Sequence, residues 1–239
     1  MTENRLKVLF LGSGDIAIAS LQAVHESDSI DLVGVGTQPD KKAGRGNKLT
    51  ATPIGQKAEE LQLSPWKIDN INTQTFIEKI KSLSPDFILV IAFGQLLKEV
   101  ILNLPKLACI NVHASILPKY RGASPINSSL LNGDAETGIS IMKMAKGMDT
   151  GDVYETLRLP ITEQDDALSL KEKLADLAGD NILSSLEKIS SGSLKCKEQD
   201  HEQSTHCRKI AKSDALIDWN CSASEINNRV KAYFPWPGT

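Results

Sequence analysis

The sequence predicts an α/β fold: a mostly parallel sheet with helices on both faces. Three observations carry this reading. Continuous apolar runs such as "KVLFL" and "FILVIAF" suit strands buried on both sides, amphipathic stretches lie between them, and a glycine turn leads from the first strand straight into a helix. The 239 residues suffice for one large α/β domain, or for a domain of moderate size with a small appendage.

The elements follow in order. "KVLFL" (7–11) is a buried strand. "DIAIASLQAVHES" is a helix with Ile16, Leu21 and Val24 near one face. "IDLVGVG" (30–36) is the second strand, and "TPIGQKAEELQL" is a helix with Pro53 in its first turn. "TQTFIEKIKSL" is another helix, "DFILVIAF" a fully buried strand, "LKEVILNL" a short helix and "ACINVH" (108–113) a further strand. The pattern then changes. "TGISIMKM" and "DVYETLRL" alternate apolar and polar residues, as antiparallel or edge strands do. "DALSLKEKLADLAGDNILSSLEKISSG" is one long amphipathic helix or two, and the polar, aperiodic "SLKCKEQDHEQSTHC" reads as a linker. "DALIDWNCSASEINNRVKAYFPWPGT" reads as a strand, a helix and a proline-rich turn, too short to bury a core of its own.

Composition excludes several classes. With 41% apolar residues and 24% charged, the chain is not disordered throughout, and a net charge of −3 argues against a wholly basic nucleic-acid binder while leaving room for a local basic patch. The longest apolar run is far too short to cross a bilayer and the N-terminus offers no cleavable signal, so a cytoplasmic setting without membrane contact is expected. Cys109, Cys196, Cys207 and Cys221 have no zinc-like pair spacing. Cys196, His201, His206 and Cys207 fall within twelve residues, but their spacing matches no common finger and no metal is expected.

The opening Gly12-x-Gly14-x-x-Ala17 fits a dinucleotide fingerprint, yet that motif usually needs an acidic residue at the end of the second strand. Thr37 and Gln38 stand there instead, and Asp40 lies beyond Pro39. A tight strand-to-helix turn is the preferred reading. The strongest chemical cluster is "ACINVHASILPKYRG". Residues two apart on a strand face the same way, about 6–7 Å apart, so Asn111 and His113 share a side at the carboxyl end of a parallel strand, where open α/β sheets hold ligands. Asp149, in the turn of "KGMDTGDVY", is placed to meet that histidine, favouring its charged form and fixing the ring.

The ordered set "INVHASILPKYRGASPI", "AETGISIMKM" and "GMDTGD" resembles the folate-dependent formyltransferases, most of all those acting on methionyl-tRNA, over nearly the whole chain. The resemblance implies a Rossmann-like formyltransferase domain over 1–190, a linker over 191–206 and the beginning of an incomplete C-terminal tRNA-binding domain over 207–239. It implies transfer of a formyl group from N10 of 10-formyltetrahydrofolate to a primary amine, with Asn111, His113 and Asp149 as the catalytic trio. A folate pocket is implied at Ser115, Ile116, Leu117 and Pro118, helped by Phe93, Gly94, Gln95 and Leu96. Asn111 and protonated His113 would stabilise the oxyanion, and Asp149 would keep the ring charged and accept the amine's proton. Neither a metal nor a covalent intermediate is required.

The loop "TQPDKKAGRGNKLTATPI" (37–54) is similar to the insertion with which the tRNA-acting members reach the acceptor end of initiator tRNA, through Lys41, Lys42, Arg45 and Lys48. Where those members carry a proline and an aromatic residue, this chain has Gly14 and Ile16. A monomer is expected. The alternatives are a formyltransferase acting on a nucleotide-linked amino sugar and, in another class, an NADP-binding oxidoreductase.

Overall fold

The computed structural model describes residues 5–43 and 48–239. Strand β1 (Leu6–Gly12) leads through a 3₁₀ turn (Asp15–Ala17) into α1 (Ile18–Glu26). Then come β2 (Ile30–Thr37), the short β3 (Lys41–Ala43) and β4 (Lys48–Thr50), α2 (Pro53–Glu60), β5 (Trp66–Lys67), α3 (Gln74–Leu83), β6 (Phe87–Ile91), α4 (Glu99–Leu102) and β7 (Ala108–His113). The second half holds β8 (Arg121–Gly122), α5 (Pro125–Leu131), β9 (Glu136–Lys143), β10 (Val153–Pro160), α6 (Ala167–Ser190), β11 (His206–Cys207) and α7 (Ala223–Tyr233).

The main sheet has the order β10-β9-β7-β6-β1-β2-β5. The five strands from β7 to β5 are parallel, and β9 and β10 run antiparallel at the other edge. Successive residues of β1 point to opposite faces. Val8 and Phe10 join one buried cluster with Leu21 of α1 and Leu174 of α6, while Leu9 and Leu11 join another with Ile77 of α3 and Ile101 of α4. Burial on both faces is what the unbroken apolar strands require. The helix starts follow from local chemistry. Thr52 accepts from Gly55 N–H ahead of Pro53, and Asp166 and Ser169 close a capping box at the start of α6.

Two expectations are corrected. "DALIDW" forms no strand: Lys212–Ala215 is a 3₁₀ turn, and Leu216 and Trp219 lie exposed. The stretch read as a short helix at 97–104 is helical only over Glu99–Leu102. The two alternating stretches are antiparallel as expected, with β10 at the sheet edge, and residues 137–142 of β9 are all buried. Its buried polar side chains serve the interior, as Ser140 Oγ donates to Ser115 O (2.7 Å) and accepts from Leu117 N–H (3.0 Å). Helix α5 was not anticipated, and the 167–190 stretch is one helix.

Candidate active site

The sheet order reverses at β1, with β2 on one side and β6 on the other, and a cleft of about 620 Å³ opens at the carboxyl ends of β1, β6 and β7. Asn111 and His113 enter it from the end of β7, which pairs with β6 and β9. Asp149 enters from the loop between β9 and β10.

The three side chains converge. Asn111 Nδ2 donates to Asp149 Oδ1 at 3.5 Å, and His113 Nδ1 stands 3.7 Å from Asp149 Oδ2, an ion-pair separation rather than a hydrogen bond. His113 Nε2 lies 2.9 Å from Tyr120 O, which can only accept, so Nε2 carries a proton. The Asp149 carboxylate faces the other ring nitrogen, Nδ1. Asp149 Oδ2 also accepts from Gly122 N–H at 2.8 Å. Asp149 has φ 52°, in the left-handed region that aspartate enters more readily than most residues. Gly122, at φ 121°, could bear no side chain: a Cβ there would stand 2.1 Å from Cys207 O.

The expected folate residues divide. Phe93, Gly94, Gln95 and Leu96 line the cleft beside the trio. Within that group Gln95 braces the neighbouring loop, accepting from Ile71 N–H and donating to Ile68 O, whereas Leu96 is exposed at the cleft, as is Met148. Ser115, Ile116, Leu117 and Pro118 do not line it. Ser115 is fully buried with Oγ donating to Lys119 O (2.6 Å), and Ile116, Leu117 and Pro118 border a separate cavity of about 430 Å³. The contacts of Ser140 with Ser115 and Leu117 fix the chain in that direction.

The basic residues are also divided. Lys41, Lys42 and Lys48 are exposed on the antiparallel pair β3–β4, with Lys41 Nζ donating to Gln38 Oε1. Arg45 lies outside the described residues. At the glycine turn, Asp15 sits where a pyrophosphate would bind and pairs with Lys171. Thr37 and Gln38, in the place of a ribose-binding acid, bond to Thr52, Ser13 and Phe93 O. Both features oppose a dinucleotide site, while Ile16 lines the cleft.

Burial pushes the thiols of Cys109 and Cys207 up. Cys207 Sγ lies within reach of the carbonyls of Tyr120 (3.3 Å) and Arg121 (3.4 Å) and donates there. No activated thiolate is offered by either. Among the described residues, no group of three or more His, Cys, Asp or Glu side chains is gathered to hold a metal, and no helix is long and apolar enough to cross a membrane. The residues missed by sequence reading are those that hold the trio in place: Tyr120 through its carbonyl, Gly122 through its N–H, and Gln199 and Arg121. The glycine that follows Arg121 was the one available signal.

The Formyl transferase family model matches residues 5–186, and the model described as Formyl transferase, C-terminal domain, matches 209–239. The chain belongs to the formyl transferase family. It is 44% identical over 233 residues to methionyl-tRNA formyltransferase of Sulfurihydrogenibium sp. (strain YO3AOP1), covering 97% of this chain and 75% of that relative. It is 41% identical over 233 residues to the protein of the same name from Halothermothrix orenii, covering 98% and 74%. Among solved structures, a 4-N formyltransferase from Francisella tularensis matches with a TM-score of 0.74 at 14% identity, covering 97% of this chain and 89% of its own. An N-formyltransferase from Helicobacter canadensis, in complex with folinic acid and dTDP-3-aminofucose, matches with a TM-score of 0.72 at 19% identity, covering 95% and 80%. At these identities the solved neighbours establish the formyltransferase fold.

Proposed function

We propose that this chain transfers the formyl group of 10-formyltetrahydrofolate to the free amino group of initiator methionyl-tRNA, giving N-formylmethionyl-tRNA for translation initiation. The observation that carries the reading is the convergence of Asn111, His113 and Asp149 in one cleft at the carboxyl ends of the parallel strands. The acceptor assignment is supported by relatives of that name at 41–44% identity. The cleft suits a folate: its volume is in the range of small-molecule sites, and Leu96 and Met148 offer apolar surface beside the polar trio.

The bound donor supplies an activated formyl carbonyl. Asn111 Nδ2 and, when protonated, His113 Nδ1 are the donors available to its oxygen as that atom gains negative charge, since His113 Nε2 is taken by Tyr120 O; burial makes this preorganised stabilisation strong. The Asp149 carboxylate beside the ring accepts the proton that the attacking amine loses, directly or through water, and a proton passes to N10 as the carbon–N10 bond breaks and tetrahydrofolate leaves. Lys41, Lys42, Arg45 and Lys48 provide cations for the phosphates of the acceptor end. The division into 1–190, 191–206 and 207–239, supported by the two family matches, and a cytoplasmic monomer complete the proposal.

The test is a parallel assay with 10-formyltetrahydrofolate as donor and either methionyl-tRNA or a nucleotide-linked amino sugar as acceptor. Formyl-methionyl-tRNA is the expected product. Turnover of the sugar alone would overturn the acceptor assignment and leave the chemistry standing.

A further inference from the structure

We infer that Gln199 is a positioning residue for the carboxylate of Asp149, so that the segment between the two family regions is part of the active site. The inference rests on the formyl-transfer reading of the trio. Gln199 is only 6% exposed although it lies in a polar, aperiodic stretch, and both halves of its amide are engaged. Its Nε2 donates to the carbonyls of Asp149 (2.9 Å) and Gly151 (2.6 Å), the backbone of the loop that carries the carboxylate. Its Oε1 accepts from Arg121 Nε (3.1 Å) and Nη2 (2.7 Å).

Arg121 is itself 4% exposed, and its Nη2 also donates to His201 Nδ1 (2.9 Å). The next residue, Gly122, donates its N–H to Asp149 Oδ2. Asp149 is therefore gripped twice, at its side chain by Gly122 and at its main chain by Gln199, and Arg121 links the two grips. The same segment secures His113. Thr205 O accepts from Arg121 N–H (2.9 Å) and Thr205 Oγ1 from Tyr120 N–H (2.8 Å), and Tyr120 O is the acceptor for His113 Nε2. A residue held in the left-handed region persists only where its surroundings over-determine it, and Gln199 supplies that constraint beside Asp149.

The test measures kcat and both KM values for Gln199→Met and Gln199→Glu, each made in the parent chain and in Asp149→Asn. The Met variant removes both contacts. The Glu variant keeps an acceptor for Arg121 and loses the donor to the two carbonyls. Each is expected to lower kcat about 10–100-fold with KM values within about twofold, because a small misplacement acts on the chemical step. In Asp149→Asn the same changes are expected to lower the residual rate by less than about threefold, since the positioned group is already disabled. Equal losses in both backgrounds, or parent-like kcat, would overturn the inference. If Gln199→Met does not fold, the Glu variant decides alone. Parent-like activity of Asp149→Asn by itself would instead refute the trio, and the inference with it.

Discussion

Asn111 and His113 are separated by one residue on β7, and that spacing brings an amide and an imidazole to the same cleft wall. Replacing Asn111 with alanine removes one donor to the developing oxyanion. A fall in kcat of about 10²–10³-fold is expected, with little change in the KM for the formyl donor, as read from initial rates. A second residue-scale prediction concerns stability. Ser20 Oγ on α1 is fully buried and has no hydrogen-bond partner among the described residues. Ser20→Ala removes an unsatisfied hydroxyl and improves helix propensity, so thermal unfolding is expected to show unchanged stability or a gain of up to about 1 kcal/mol. Asn111, His113 and Asp149 were legible in the sequence because their side chains announce their chemistry. The Tyr120 carbonyl and the Gly122 N–H were not, because every residue carries such groups and only the fold decides which ones reach a ring or a carboxylate.

Helix α6 shows how one element is fastened. Asp165, just before it, is buried and accepts from Thr162 N–H and Oγ1, Ser169 Oγ and Lys173 Nζ. Burial pushes its carboxyl up, but Lys173 and the hydrogen bonds outweigh that and hold it well below the usual carboxylate value of 3.8. A depressed carboxyl contributes stability that is fully present above its unfolded value and fades as the pH falls toward its folded one. Asp165→Asn is therefore expected to cost about 2 kcal/mol near neutral pH in chemical denaturation, with the gap narrowing below about pH 4. Further along α6, a Cβ on Gly179 would stand 2.8 Å from Ala19 Cβ and 3.1 Å from the Ala19 carbonyl carbon of α1. Gly179→Ala is expected to lower stability by about 1–2 kcal/mol despite the helix-propensity gain, because two helix backbones would have to part. Amphipathic patterning made α1, α3 and α6 readable. The misread "DALIDW" has a strand-like composition, yet it begins in a 3₁₀ turn and leaves Leu216 and Trp219 exposed, and composition alone does not show which surface an element meets.

For the whole molecule, the parallel sheet was legible because "FILVIAF" and its neighbours can only be buried on both faces, while the role of residues 199–207 was hidden because their contacts are long-range and polar. Charge acts at this scale as well. Changing Lys41, Lys42 and Lys48 together to glutamine is expected to lower the slope of log affinity for tRNA against log salt by about 2, while leaving binding of the folate donor unchanged. An unaltered slope would remove these lysines from the tRNA path. The central claim is that one amide, one imidazole and one carboxylate act together on a formyl carbonyl. The most direct test is the rate of N-formylmethionyl-tRNA formation by His113→Ala relative to the parent at saturating donor and tRNA. The account predicts a loss of about 10²–10⁴-fold with the fold retained; a rate equal to the parent's would contradict it.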